Sequence, residues 1–187
     1  MFTDLGGFAE GIIGPSQAYA APWSTIPGTY INGSDANDLK LFGEVNGDGK
    51  IMYVEYFCDN GDEGVSPTHN LYRNVMPFDA ASKPNVGPSQ ILLSNVYPNP
   101  PDKNGIARPC FKYQWQTISG LQYVLDVAIT LTVRTQVIDP VTRAYQTETK
   151  ALLNVSPRNV YNTWMMAGYN ETSRQQLTPP SVTALLQ

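Results

Sequence analysis

The 187-residue sequence has few charged residues and no cluster of basic ones. Charged side chains make up 15% of the chain, whereas they form about 25% of an average globular protein. The net charge is −4, and lysine and arginine are nowhere concentrated. Because nucleic-acid binding needs a dense basic face to displace counterions from phosphates, the composition argues against a nucleic-acid partner.

The sequence also lacks a long apolar run. No stretch approaches the roughly 18 apolar residues of a membrane-spanning helix. The N-terminal residues include Asp4 and Glu10 and have no continuous apolar core, so they do not resemble a signal peptide. We therefore expect the chain to be a mature or trimmed form.

Cysteine occurs only twice, at Cys58 and Cys110. Two cysteines are the right number for one disulfide in an oxidising compartment. The chain also has 15 glycines, 15 prolines and 11 tyrosines, a composition typical of a loop-rich β protein outside the cytoplasm. We predict a disulfide between the two cysteines and an extracellular or periplasmic location; the alternative is two unpaired buried thiols.

Catalytic motifs are nearly absent. The single histidine, His69, cannot build a multi-histidine metal site alone, and the predicted disulfide leaves it no thiol to activate. There is no nucleophile-elbow serine, phosphate-binding loop or dinucleotide fingerprint. A carboxylate pair for glycoside hydrolysis would be assembled in space from the 16 acidic residues, so a hydrolase stays open. We predict that the protein is not an enzyme.

The sequence does contain clear strand-like alternation. Two alternating runs flank Asn46-Gly47-Asp48-Gly49, which is a strong signal for a β-hairpin. A second hairpin is predicted from the runs at 122–137 and 145–155, with a turn at Asp139-Pro140. Because the run 122–137 would span about 50 Å, we expect a bend or bulge in it. Further strands are predicted at 70–76 and 90–97 and from Cys110 onward.

Helical signals lie near the two ends. Ser156-Pro157 is an N-cap followed by a proline, which predicts a short helix from Pro157 to about Ala167. Residues 2–13 are interpreted as the end of a helix. The predicted fold class is α+β and mainly antiparallel β, with about seven strands in a single domain. Its parts are a helix remnant and loop (1–34), a β region (35–155) and a C-terminal helix and tail (156–187).

The first turn also has the spacing of a calcium loop. Glu44, Asn46 and Asp48 fall at the first, third and fifth positions of an EF-hand loop, and Glu55 falls at its last. The flanking residues alternate as strands instead of forming helices, so a tight turn is the favoured interpretation. Calcium at Glu44, Asn46 and Asp48 is kept as an optional site, and no other cofactor is predicted.

Phe111, Tyr113 and Trp115 share one face of a predicted strand. Alternating aromatic residues usually belong to a core, but they could also form a sugar-stacking platform. Together with the calcium loop, they leave a secreted adhesin or glycan-binding module as the alternative function.

Three segments follow one another in a recognisable order: 35–49, Val54-Glu55-Tyr56 and Leu71-Tyr72-Arg73. This order resembles the head domains of bacterial type IV minor pilins and pseudopilins, in the class of pilin assembly protein W and the type II secretion pseudopilin J. In those heads an early hairpin with an Asp-Gly turn leads to a Leu-Tyr-Arg strand. The resemblance continues through residues 110–113, 124–133 and 153–159.

The resemblance implies a pilin-like head that is a structural subunit of an extracellular or periplasmic filament. Pilins carry an apolar stem helix, and residues 2–13 resemble only its end. We therefore expect other pilin subunits as partners, a stem that was removed or belongs to a separate chain, and membrane contact only through that stem. The apolar C-terminus either docks on its own sheet or meets a partner chain. The predicted interface residues are Val160, Trp164, Leu185 and Leu186.

Overall fold

The computed structural model describes residues 9–12, 34–44, 48, 50–59, 69–155, 158–174 and 180–185. In this part of the chain, eight strands form one antiparallel sheet, and two α-helices pack on it. The strands are β1 (Ala9–Ile12), β2 (Asp38–Glu44), β3 (Ile51–Cys58), β4 (His69–Pro77), β5 (Ile91–Tyr97), β6 (Phe111–Ile118), β7 (Leu121–Arg134) and β8 (Thr147–Val155). The helices are α1 (Arg158–Gly168) and α2 (Pro180–Leu185). The predicted, mainly antiparallel β fold with a C-terminal helix is confirmed.

The strand order is β1-β2-β3-β4-β5-β7-β6, and β8 pairs with β7. Strand β8 pairs with residues 127–134 of β7, β6 pairs with residues 121–129, and β5 pairs with Thr132 and Val133. Since the partners of β8 overlap those of both β5 and β6, β8 occupies one edge of β7. Strands β5 and β6 follow each other along the opposite edge.

The sheet curls until β6 reaches the beginning of β2. The backbone N–H of Phe111 donates to the carbonyl oxygen of Ala36 at 2.9 Å, and the Tyr113 hydroxyl donates to that of Asp38 at 2.8 Å. A disulfide joins Cys58, at the end of β3, to Cys110, just before β6, with Cα atoms 6.4 Å apart. The predicted disulfide is confirmed.

The inner face of the curled sheet holds the main core. Alternate residues of β2 to β7 point into it, because successive side chains of a strand face opposite sides. Phe111 and Tyr113 are buried there and Trp115 packs against them, so the core interpretation of the aromatic stripe is confirmed. The other buried members are Leu39, Leu41, Val54, Tyr56, Leu71, Val96, Val124, Val127, Ile129 and the disulfide-bonded Cys58 and Cys110.

The predictions for the longest strand and for residues 2–13 have different outcomes. The expected irregularity in the longest strand is confirmed, since the register shifts between Val127 and Ile129 of β7. The helix remnant at residues 2–13 is not seen where the structure describes it: Ala9–Ile12 forms β1, paired with β2. Gly11 weakens a helix there, and the edge of β2 offers backbone partners. The other residues of 2–13 lie outside the described residues.

The proline-rich connector between β5 and β6 is attached to the sheet by one amide. The Asn99 side-chain nitrogen donates to the carbonyl oxygens of Arg108, Pro109 and Thr130, and its oxygen accepts from the Thr132 hydroxyl. Since proline cannot donate to a strand ladder, this side chain supplies the bonds that the connector backbone lacks.

Helix α1 confirms the helix predicted after Ser156-Pro157, and α2 covers part of the outer face of the sheet. Val182 and Leu185 of α2 are fully buried in one cluster with Phe42, Tyr53 and Met76. Of the two alternatives for the apolar tail, Leu185 therefore docks on its own sheet, while Leu186 lies outside the described residues. None of the described helices has the length and apolar character needed to span a bilayer.

Candidate functional site

The proposed calcium loop is only partly described. Asp48 is exposed, and its Oδ1 accepts a hydrogen bond from the backbone N–H of Lys50 at 3.0 Å, which stabilises the turn. Asn46 and the side chain of Glu44 lie outside the described residues, so calcium binding stays a prediction. Among the residues that are described, no three carboxylate, imidazole or thiol groups gather as a metal site requires.

A row of buried polar side chains crosses the outer face of β2, β3 and β4. Lys40, Glu55 and Asn74 lie opposite one another on these strands and are 3 to 5% exposed. Lys83, in the connector after β4, places its Nζ 3.2 and 3.1 Å from Glu55 Oε1 and Oε2. Burial and the neighbouring Glu55 raise the pKa of Tyr53, whose hydroxyl donates to Glu55 Oε2 at 3.3 Å. These partners compensate Glu55 for its lost hydration.

Asp38 lies beside this row and has an unusual pKa. The pKa of Asp38 is raised from 3.8 to about 7, first by burial and then by the charges of Glu55 and Asp35, while Lys40 and Lys83 act in the opposite direction. Its Oδ1 is buried and has no hydrogen-bond partner among the residues that the structure describes. A carboxyl group that titrates near neutrality is suited to proton transfer, but Asp38 lines neither of the two described clefts. We therefore interpret it as part of the polar row.

Replacing Asp38 by asparagine is expected to stabilise the protein at pH 8 and to change little at pH 4. Folded Asp38 keeps its proton up to about pH 7, whereas the unfolded chain loses it near pH 4, so stability falls as pH rises between these values. Asparagine does not titrate and removes this loss, roughly 2 to 4 kcal/mol. Urea unfolding of the wild type and of Asp38→Asn at pH 4, 6 and 8 measures this difference in the free energy of unfolding.

The exposed Asp79 provides the control for this experiment. Asp79→Asn removes the same charge at the surface and should leave the pH dependence of stability as in the wild type. If the stability of Asp38→Asn depended on pH in the same way as that of the wild type, the raised pKa of Asp38 would be contradicted.

His69 begins β4 and has no thiol partner, because both cysteines of the chain are bonded to each other. Its Nδ1 is 3.3 Å from Asp59 Oδ1, and its buried Nε2 has no hydrogen-bond partner within the described part of the chain. Because Cys58 and Cys110 are bonded to each other, no Cys–His nucleophile pair is formed with them. The His69–Asp59 contact therefore joins the beginning of β4 to the residue that follows β3, and it offers no nucleophile.

Helix α1 carries two lines of apolar side chains, and its predicted interface residues lie on the line that packs on the sheet. Val160 and Trp164 are half-buried and pack on Tyr123 and Leu125 of β7. Trp164 Nε1 also donates to Gln116 Oε1 at 3.0 Å. The exposed side chains form a second line at a spacing of four residues, which we call the helix stripe: Tyr161, Met165 and, in the turn after the helix, Tyr169. The same spacing in the sequence could have identified this stripe.

The loop between β7 and β8, residues 135–146, is the second exposed apolar surface. Its backbone is held by Asp139, whose Oδ1 accepts from the N–H groups of Val141 and Thr142, while Gln146 Nε2 donates to Oδ2. These bonds lower the pKa of Asp139. We call this segment the hairpin loop. Its exposed apolar residues are Val137 (76%), Ile138 (48%), Val141 (88%) and Tyr145 (45%).

Arg134 connects the hairpin loop to the sheet. Its guanidinium lies 4.9 Å from the ring centroid of Tyr97 and 4.5 Å from that of Tyr145. Such cation–π contacts favour one position of the loop end. An open cleft of about 420 Å³ lies beside Arg134 and is lined by residues of β7 and β8 and by Thr135 and Gln146.

Comparison of the chain with protein-family models, with curated protein sequences and with solved structures gave no match. The resemblance to pilin heads therefore stays a prediction. The described residues offer a buried polar row and two solvent-facing apolar surfaces, the helix stripe and the hairpin loop.

Proposed function

We propose that the protein is a structural subunit of an extracellular or periplasmic filament, of the type IV pilus or type II secretion pseudopilus kind, and has no catalytic role. Its hairpin loop binds neighbouring subunits, and the helix stripe adds a second contact. The observation that carries this proposal is the hairpin loop, where Val141 is 88% exposed and Val137 76% exposed on a backbone held by Asp139.

The physical argument starts from the exposed apolar area. Single exposed apolar residues are ordinary, but a cluster of them in one loop marks an interaction surface. Full burial of one valine contributes about 1.5 kcal/mol or more. A loop whose hydrogen bonds are already formed loses little conformational entropy on binding, so most of that free energy goes into the contact.

Two further observations support a role outside the cytoplasm. The Cys58–Cys110 disulfide is typical of proteins from oxidising compartments. The segments that resemble pilin heads, 35–49, 54–56 and 71–73, include residues of the three consecutive strands β2, β3 and β4. The alternative of a glycan-binding module has less support, because Phe111 and Tyr113 are buried and offer no stacking platform.

Val141→Asp is expected to reduce the amount of the protein in sheared surface filaments at least tenfold, because a charge would be buried in the contact. Its folding should be unaffected, since Val141 is 88% exposed. Cells that produce each variant are sheared, and the filaments are pelleted and labelled with antibody on gold. Gln136→Asp adds the same charge at an exposed polar position of the hairpin loop and serves as the control.

Absence of the wild-type protein from the filaments would overturn the proposed function. Wild-type protein in the filaments together with unaffected Val141→Asp would overturn the role of the hairpin loop alone. In that case Met165→Asp, on the helix stripe, tests the second contact in the same assay.

A further inference from the structure

Strand β8 has one edge without a partner strand among the described residues. It pairs only with β7, and residues 147–151 are exposed on both faces of the sheet. An edge of this kind carries backbone N–H and C=O groups that another strand can pair with.

The hydrogen-bond pattern shows which backbone groups face the free edge. The N–H of Thr135 donates to the carbonyl oxygen of Gln146 at 2.9 Å, and the N–H of Gln146 donates to the Thr135 hydroxyl at 3.1 Å, so these two residues are bonded to each other at the end of the ladder. Because hydrogen-bonded pairs alternate along an antiparallel ladder, Glu148 and Lys150 bond to β7. Thr147, Thr149 and Ala151 therefore direct their N–H and C=O groups to the free edge. The 2.8 Å contact between the Thr132 and Thr149 hydroxyls agrees, since side chains approach closely at the alternate pairs.

The side chains on this edge have a self-complementary charge pattern. Glu148 and Lys150 point to the same face, with Nζ 2.7 Å from Oε1, and their side chains are 65% and 69% exposed. If a second copy of β8 pairs antiparallel about Thr149, each Glu148 lies opposite Lys150 of the second copy. Opposite charges across a strand pair are favourable.

We propose that two copies of this protein associate by antiparallel pairing of their β8 edges, with Thr149 on the twofold axis. At the axis the two Thr149 residues exchange two backbone hydrogen bonds, and Thr147 faces Ala151 on either side. The four charges then alternate in sign on one face. This interface is isologous, as expected for a closed dimer.

The charges also select this register over its neighbours. A shift of two residues in one direction places Glu148 opposite Glu148 of the second copy. A shift in the other direction places Lys150 opposite Lys150. Like charges directly opposite each other destabilise a strand pair. A shift of one residue is excluded by the backbone. It would place Thr149, whose N–H and C=O groups face the free edge, opposite a residue of the second copy whose N–H and C=O groups are already bonded to β7. The pairing does not depend on the filament role.

Sedimentation equilibrium of the purified full chain over a wide concentration range tests the dimer. The interface is small, so association is weak and depends on concentration. Glu148→Lys should raise the dimer dissociation constant at least tenfold, because lysines then face lysines. Lys150→Glu should do the same, and the double variant Glu148→Lys/Lys150→Glu should restore the wild-type value. Thermal unfolding of each variant checks that the fold is unchanged.

Cross-linking tests the register. Thr149→Cys should form a covalent dimer under mild oxidation, because residues opposite each other in a hydrogen-bonded pair have Cα atoms about 5.5 Å apart. Thr147→Cys is the matched control and should not, since it faces Ala151. The described native cysteines do not interfere, because both are bonded.

A monomeric wild-type protein, or a dimer that neither responds to Glu148→Lys nor cross-links through Thr149→Cys, would overturn this pairing. Neither result affects the filament proposal, which is tested by the presence of the protein in surface filaments. Conversely, a β8 dimer in solution with no protein in filaments would overturn the proposed function alone.

Discussion

Reduction of the Cys58–Cys110 disulfide is expected to lower the midpoint of thermal unfolding by roughly 10 °C. The two cysteines are separated by 52 residues, and for a loop of this length the chain-entropy model gives a stabilisation of about 4 kcal/mol. A domain of this size shifts its midpoint by about 2–4 °C for each kcal/mol. Calorimetry with and without a reductant measures the change.

The variant Cys58→Ala/Cys110→Ala is the control for the disulfide experiment. Its midpoint should not respond to the reductant and should lie near that of the reduced wild-type protein. Titration of free thiols in the native protein provides an independent check. Two reactive thiols before reduction, or an unchanged midpoint after complete reduction, would contradict the disulfide.

Leu185→Ala is expected to lower the free energy of unfolding by about 3 kcal/mol. Leu185 has no exposed surface and packs in one cluster with Phe42, Tyr53 and Met76 on the outer face of the sheet. Truncation to alanine removes buried apolar area and leaves a cavity, and the two effects add. Urea unfolding followed by tryptophan fluorescence measures the loss.

This result separates two roles for the C-terminal segment. If Leu185 bound a partner chain, Leu185→Ala would leave the stability of the isolated protein unchanged. Leu92→Ala is the matched control, because Leu92 of β5 is 51% exposed and its truncation should change stability by less than about 0.5 kcal/mol. A wild-type urea midpoint for Leu185→Ala would show that α2 is not docked.

Local patterns in the sequence predict the two main hairpins well. The alternation on either side of residues 46–49 corresponds to β2 and β3, and the runs around Asp139-Pro140 correspond to β7 and β8. In both cases each strand pairs with its neighbour in the sequence, so period and turn chemistry together define the pairing.

The order of the other strands depends on contacts that no local pattern encodes. Strands β5 and β6 share one edge of β7, and β6 bends back to Ala36. The polar row was missed for the same reason. Lys40 and Glu55 occupy positions that alternation assigns to solvent, but both are buried, and Glu55 is paired with Lys83 of the connector after β4.

The face of α1 that packs on the sheet cannot be identified from the sequence pattern either. Val160 and Trp164 form one apolar line along α1, and Tyr161 and Met165 form another beside it. Both lines have helical spacing, so periodicity alone does not distinguish the line that faces the sheet from the line that faces solvent. Only the position of Tyr123 and Leu125 under the helix resolves it.

The closure of the curled sheet has a consequence for biosynthesis. The β2–β3 hairpin is made early, with Leu39, Leu41 and Val54 on one apolar face, but β6, which completes the inner core, begins only at Phe111. Pairings between residues so far apart in sequence form slowly. Until they form, the apolar face is open to other nascent chains, and partly folded species of this kind aggregate. We therefore expect the chain to be prone to aggregation during translation, until the N–H of Phe111 bonds to Ala36 and completes the curled sheet.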